Sequence, residues 1–342
     1  MRKIFVTSCI ILLLGGCRDK SNPMGPNTEE SVSNSSNNTL YTFSVSKSIL
    51  GIFDTLDMTV SATNLGNTPD SIIVSDYEYT WSLTNISGQT VASGPTVISN
   101  LISTVVLSSH QTQVLYHLGF TMADIFRSPI PTGMYSLHWN MRSGLLFRLQ
   151  LNCGKGNDEV SDLGGVSSPI FPLKVGNTWT YRANYYTKSG TLLFNETNTQ
   201  SIIGEKMLNG EKLFLMVSDF WSDQFLIARN NGIYVYYPDL KMAALKFKYP
   251  STAGEQYSSG YDFWNDDTVH LEQYQTTVDS VNEIVSVPQG SYQCYKYIIP
   301  TVNATFGNSS TIVSGEIDYY SNVGLVRRIN DYIVRDLIRT NF

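Results

Sequence analysis

The sequence predicts an all-β protein of two domains, a β-sandwich followed by a larger curved antiparallel sheet or half-barrel. Three observations predict it. From about Leu40 onward, apolar and polar residues alternate with a period of two in one segment after another. Turn signals rich in Asn, Gly and Pro separate these segments. The composition, 42% hydrophobic and only 15% charged with 21 Tyr and 15 Phe, suits sheets with polar outer faces. Successive side chains of a strand point to opposite faces, so a repeated period of two marks half-buried strands. A chain of 342 residues is too long for one modest core and comfortable for two domains.

The N-terminus carries an address. Arg2 and Lys3 precede an apolar run from Ile4 to Leu14, and Leu14-Gly15-Gly16-Cys17 follows. The run is about eleven residues, in the range of a signal-peptide core and well short of the roughly twenty that a spanning helix needs. The segment resembles a bacterial lipoprotein signal peptide with its lipobox. That resemblance implies removal of residues 1–16, acylation of Cys17, and work in the cell envelope, held to a membrane by N-terminal acyl chains. Arg18 rather than Asp follows Cys17, which by likeness to the sorting rules of enteric bacteria favours the outer membrane. Residues 17–38 are rich in Ser, Asn and Pro without apolar periodicity, and are expected to form a disordered tether.

The first domain is expected over 39–152. Leu56, Met58, Val60 and Ala62 interleave with Asp57, Thr59, Ser61 and Thr63, and Tyr77, Tyr79, Trp81 and Leu83 with Glu78, Thr80, Ser82 and Thr84. Tyr135, Leu137, Trp139 and Met141 repeat the pattern, as do Phe147, Leu149 and Leu151. Asn64-Leu65-Gly66-Asn67, Ser87-Gly88 and Pro131-Thr132-Gly133 punctuate the strands. Such spacing suggests a sandwich. The stretches "MTVSATNLGNTPDSIIV", "YTWSLTNISGQTVASG", "VLYHLGF" and "IPTGMYSLHW" resemble the BsuPI-type intracellular proteinase inhibitor domain. The resemblance covers about residues 40–152 and rests on strand-and-turn features. It implies an immunoglobulin-like sandwich and raises inhibition of an exported serine protease as a role.

Residues 153–168 read as a Gly-, Ser- and acid-rich linker, and 169–342 as the second domain. It opens with "FPLKVGNTWTYR", and Asn209-Gly210 and Asn231-Gly232 look like two-residue hairpin turns. Its openings resemble pieces of secreted bacterial β domains without assigned activity. No repeat of fixed period runs through the chain.

A net charge of −6 argues against nucleic acid, which needs a basic stripe. No G-x-S-x-G, H-E-x-x-H or C-x-x-C occurs, and His110, His117, His138 and His270 share no spacing. Asp266, Thr268, His270 and Glu272 share one strand face, but neighbours there stand about 7 Å apart and do not converge on a metal. Neither this group nor the linker acids make a metal site, and no cofactor is implied. Cys153 and Cys294 remain after Cys9 leaves with the signal and Cys17 is acylated. An exported compartment permits a disulfide between them, and two separate buried thiols are the alternative. Aromatics crowd one region of the second domain: Tyr234, Tyr236, Tyr237, Tyr257, Tyr261, Phe263 and Trp264. Tyr and Trp join an apolar body to a polar tip, so Tyr234, Tyr236, Tyr257, Tyr261 and Trp264 are candidate ligand contacts, with plain packing of the sheet as the alternative. The reading favours a non-enzymatic envelope protein with a binding or scaffold role, its partner an unidentified protein or apolar ligand. Carriage of a lipid in the second domain is a further alternative, and it requires an apolar cavity on the concave side of the sheet.

Overall fold

The structure is a computed structural model that describes residues 29–75, 79–94, 102–141, 144–154, 170–220, 222–265, 268–306, 309–313 and 315–342. Strands account for most of it, as the alternation predicts.

The first domain holds β1 (Glu30–Ser36), β2 (Thr39–Val45), β3 (Ile49–Leu50), β4 (Thr55–Asn64), β5 (Asp70–Ser75), β6 (Tyr79–Asn85), β7 (Thr90–Gly94), β8 (Ile102–Leu107), β9 (Thr112–Thr121), the short helix α1 (Met122–Ile125), β10 (Gly133–Met141) and β11 (Leu146–Cys153). One sheet has the order β1-β2-β4-β9 and the other β3-β11-β10-β6-β7, with β5 and β8 forming a separate ribbon. Their inner faces meet on aromatic rings. Trp139 of the second sheet is fully buried and stacks on Tyr79 at 4.5 Å, while Phe43 and Tyr116 reach it from the first sheet at 5.4 and 5.9 Å. The "PTGMY" motif also has a local cause: the Tyr135 hydroxyl donates to the Pro131 carbonyl at 2.9 Å and fixes the opening of β10.

Two boundaries differ from the sequence reading. The expected tether to residue 38 is too long, because β1 already pairs with β2 from Glu30 to Ser36. Its Ser side chains face water from an edge strand, so polarity there reflects exposure rather than lack of structure. Cys153 belongs to β11 and to the sandwich core rather than to the linker.

The second domain holds β12 (Thr178–Tyr186), β13 (Leu192–Leu208), β14 (Glu211–Ser218), β15 (Gln224–Arg229), β16 (Gly232–Tyr237), β17 (Met242–Lys248), β18 (Gln256–Asn265), β19 (Thr268–Val287), β20 (Gly290–Ile299), β21 (Val302–Phe306), β22 (Ser309–Val313), β23 (Glu316–Ser321), β24 (Gly324–Asn330) and β25 (Ile333–Asn341). Twelve of these form one sheet of order β17-β16-β15-β14-β13-β12-β25-β24-β23-β20-β19-β18. It curves until its edges, β17 and β18, face each other across a seam, so the sheet is nearly closed. Asn209 and Gly210 form the expected turn, both with positive φ. The other predicted turn falls one residue earlier, on Asn230-Asn231, because Gly232 already pairs with Arg229 and Lys248. A Cβ at Gly232 would stand 2.2 Å from the Phe247 carbonyl oxygen, so the strands approach too closely there for any side chain.

The domains pack directly on each other. β13 and β14 turn Ile202, Phe214 and Met216 into their own domain, and Ile203, Leu215 and Val217 into the sandwich core. Gly204 lies against Ile52, where an added Cβ would stand 2.2 Å from Ile52 Cγ2. Beside it Phe53 stacks on Phe225 at 6.0 Å, and the Lys206 ammonium sits 4.6 Å over the Phe53 ring. Arg127 completes the junction, donating to both Asp223 carboxylate oxygens at 3.1 and 2.8 Å and to the Ser218 carbonyl at 2.8 Å.

Candidate functional site

The curvature of the second sheet gives it an interior, and the predicted aromatics divide between its two faces. In β16, Ile233, Val235 and Tyr237 point inward, which sends Tyr234 and Tyr236 outward. Tyr234 accepts a hydrogen bond from Asn231 Nδ2 at 2.8 Å and lies under the Arg229 guanidinium at 4.3 Å. Tyr257 points inward, buried, and donates to the Lys246 carbonyl at 2.9 Å. The side chains of Tyr261, Phe263 and Trp264 lie outside the described residues, as do Asp266 and the side chains of Thr268, His270 and Glu272. Cys17 and residues 155–168 of the linker also lie outside them. Tyr234 and Tyr236 therefore do not join Tyr257 on one surface; strand parity separates them.

Of the two readings of the cysteines, the structure has the separate buried thiols and not the disulfide. Cys153 and Cys294 are both free and buried, one in the sandwich core and the other in a small cluster with Val285, Tyr319 and Val326. Burial pushes each thiol up to about 12. Sequence spacing carries no information on which core a cysteine joins.

Inside the second sheet a chain of rings runs from Trp179 through Phe171 (4.9 Å), Tyr320 (5.9 Å) and Phe247 (4.2 Å) to Tyr297 (5.3 Å) and Tyr257 (6.4 Å). Beyond it lies a polar region. Arg328 of β24 stands opposite Asp318 of β23 and diagonal to Glu316. Its Nε donates to Asp318 Oδ1 at 2.5 Å, a second N–H reaches Asp318 Oδ2, and Nη1 lies 3.0 Å from Glu316. Burial alone would favour a neutral guanidine, but Asp318 and Glu316 outweigh it and raise the Arg328 pKa. Arg335, opposite Arg328 on β25, lies 4.4 Å over the Phe220 ring. Burial, then the neighbouring Arg328, lowers its pKa.

On the adjoining strands Tyr181 stands opposite Asn198. The Tyr181 hydroxyl, Asn198 Oδ1 and Gln200 Nε2 are buried without a hydrogen-bond partner among the described residues. Buried polar atoms are nearly always paired, with protein or with water. Gln200 lines a cavity of about 10 Å³ with Phe171, Met216, Gln224, Lys246 and Phe247, and Lys246 Nζ donates to Gln224 Oε1 at 3.1 Å. That room matches a single water site. Beside Gln200, then, the described residues leave room for one small polar species, with Phe171, Phe247 and Tyr320 packed around it.

A second, broad cleft lies on the outer face of the first sheet, lined by Glu29, Ser44, Ser46, Asp57, Thr59 and His117. It brings Ser, Asp and His together without linking them as a relay: Ser46 Oγ donates to Asp57 at 3.3 Å, while His117 Nδ1 shares a hydrogen bond with Thr59 at 3.2 Å. His138 stands on the polar face of β10, as its parity predicts, within 3.3 Å of Thr84 Oγ1. Among the described residues, no three His, Cys, Asp or Glu side chains group as metal ligands.

No protein-family model matches the chain, and no curated protein is similar to it. The likeness of residues 40–152 to BsuPI-type domains therefore stands on strand-and-turn pattern alone. Among solved structures, a candidate exported protein with a YMCC-like fold from Bacteroides fragilis is 13% identical, with 51% of this chain and 99% of that one covered and a TM-score of 0.31. A candidate lipoprotein from Parabacteroides distasonis is 14% identical, with 50% and 97% covered and a TM-score of 0.31. A β-glucosidase from Listeria innocua is 11% identical over 38% of this chain and 16% of its own, with a TM-score of 0.22.

Proposed function

We propose that this chain is a lipid-anchored cell-envelope protein that acts by binding, without catalysis, through two β domains held as one unit. The observation that carries the reading is the Leu14-Gly15-Gly16-Cys17 block directly after an eleven-residue apolar run from Ile4 to Leu14. Several acyl chains at Cys17 would anchor the protein stably where one chain binds only marginally. The buried junction of Ile203, Gly204, Leu215 and Val217 with the sandwich supports presentation of both domains in a fixed relation. Edge strands and loops then supply contacts by strand addition or loop docking. A lipid-carrier role draws less support, since the cavity beside Gln200 measures about 10 Å³ and packed rings border it. By the residue after Cys17, the outer membrane is the proposed destination.

The test is Cys17→Ser in the full chain, followed by membrane fractionation and labelling with a clickable fatty acid. The expected result is loss of label and release of the protein from membranes. Label retained, or membrane association unchanged, would overturn the anchor. A density gradient separating inner from outer membranes tests the destination.

A further inference from the structure

The hairpin between β12 and β13 departs from the pattern of an exposed strand end. A strand with one face on a core and one in water alternates apolar with polar residues. At the start of β13, Leu192, Leu193 and Phe194 follow one another and are 49%, 61% and 53% exposed. Successive side chains face opposite ways, so this tip is apolar on both faces and neither face is covered. Register places Tyr186 opposite Leu192 and Tyr185 opposite Phe194, where the two rings stack at 4.4 Å. The Tyr186 N–H donates to the Tyr332 carbonyl at 2.8 Å, and the Tyr332 side chain, in the turn between β24 and β25, is half exposed. Two turns thus contribute to one exposed apolar patch, with Lys188 in the hairpin loop beside it.

The position of the patch says what lies within its reach. Gly204, the point of contact with the first domain, lies twelve positions along β13 from Leu192. At strand spacing that places the tip about 40 Å from the domain junction. The N-terminal strand enters on the junction side: Glu30 pairs with Val45 and Val45 with Met58, three residues beyond Thr55 and close in sequence to Ile52 and Phe53. Glu29 lies twelve positions after Cys17, a length that spans at most about 40 Å. The reach of an acylated N-terminus and the distance to the patch are therefore alike. Leucine and phenylalanine flanked by tyrosine and lysine is also the composition that settles at a bilayer interface.

We propose that this hairpin is a second membrane contact. Leu192, Leu193 and Phe194 enter the surface of the bilayer that holds the acyl chains of Cys17, with Tyr332 at headgroup level and Lys188 toward lipid phosphates. The contact presupposes the Cys17 anchor proposed above. It fixes how the protein stands on its membrane and leaves the sandwich facing away from it.

The experiment uses the full lipidated chain carrying Leu193→Cys labelled with bimane, reconstituted into phosphatidylethanolamine–phosphatidylglycerol vesicles with or without brominated acyl chains. The native thiols are buried and pushed up to about 12, so the label goes to position 193. The expected result is quenching of about two-fold or more by brominated lipid, as for a group at the acyl boundary. In the Cys17→Ser protein, weak vesicle binding should fall several-fold further when Leu192, Leu193 and Phe194 are all replaced by Ser, with the melting temperature held. Unquenched bimane on protein that still sediments with vesicles would overturn the hairpin contact and leave the anchor standing. Failure to sediment at all would overturn the anchor and the contact with it. A bimane change that depends on protein concentration without vesicles would assign the patch to a second protein molecule and overturn the membrane contact.

Discussion

The Tyr297 hydroxyl donates to the carbonyl of Lys248 at 2.8 Å, and so ties β20 to a strand that is not its neighbour in the sheet. Among the described residues it is one of three such ties across the seam. Tyr257 of β18 donates to Lys246 of β17 at 2.9 Å, and Tyr237 of β16 donates to Gly260 of β18 at 3.3 Å. Lys248 and Glu255 add an ion pair. An open sheet edge exposes backbone groups that pair readily with other chains. Here tyrosine hydroxyls satisfy that edge from inside, while the rings they belong to fill the interior. The abundance of tyrosine thus has a structural cause as well as a functional candidacy.

Removing one hydroxyl takes a partner from a part-buried carbonyl, which costs about 1 kcal/mol. Tyr297→Phe and Tyr257→Phe should each lower the urea midpoint by that order, and amides of β17 and β18 should exchange faster. Tyr234→Phe, on the outer face, should change stability by less than about 0.5 kcal/mol. Equal effects at Tyr234 and Tyr297 would contradict the seam role.

The seam should also weaken in acid. Hydrogen bonds from the Lys248 ammonium, and then from the Thr252 N–H at 3.1 Å, hold the Glu255 carboxyl below its ordinary range. A folded pKa below the unfolded one adds stability that is fully present above the ordinary carboxylate value of about 4.3 and is lost as pH falls through the folded value. The difference in melting temperature between the protein and its Glu255→Gln variant should therefore be largest near neutral pH and shrink below about pH 4. A difference that stays constant down to pH 3 would remove Glu255 from the seam.

The alternation at Leu56–Ala62 and Tyr135–Met141 placed strands and inward faces correctly, because one buried and one wet face is a local property of a strand. The junction was less legible. Its signal is present, since Leu213 to Val217 is an unbroken apolar run as expected of a strand buried on both faces. Nothing in that run says which surface covers the second face. Pairing partners such as Arg328 and Asp318 are legible only after strand order is known, and Cys153 and Cys294 went to different cores for the same reason. Tyr234 and Tyr237 are close in sequence, yet parity sends them to opposite faces.

The junction depends on Gly204, so a single methyl group should disturb it. Gly204→Ala forces a Cβ to 2.2 Å from Ile52 Cγ2, and overpacking of this kind costs about 1–3 kcal/mol. Ile52→Ala removes the clashing group at the cost of a cavity. The double variant should be more stable than the sum of the single effects requires, as read from chemical denaturation in a double-mutant cycle. Strict additivity would mean that the two residues do not touch.

The buried Arg328 offers the most severe single change. Asp318 is fully buried and both of its oxygens accept from Arg328, with Glu316 3.0 Å away on the other side. Arg328→Met would strand two carboxyls against one another in an apolar setting, and breaking a buried pair in this way costs about 3–5 kcal/mol. Replacing both partners with apolar groups of similar volume is commonly near neutral, because neither charge then has to be desolvated. Combining Arg328→Met with Asp318→Leu should recover much of the loss, with Glu316 left at the half-exposed rim. Urea denaturation of the single and double variants checks this. A double variant less stable than Arg328→Met alone would mean that Asp318 has a further partner in the interior, with Lys246, whose charge also acts on it, the first candidate.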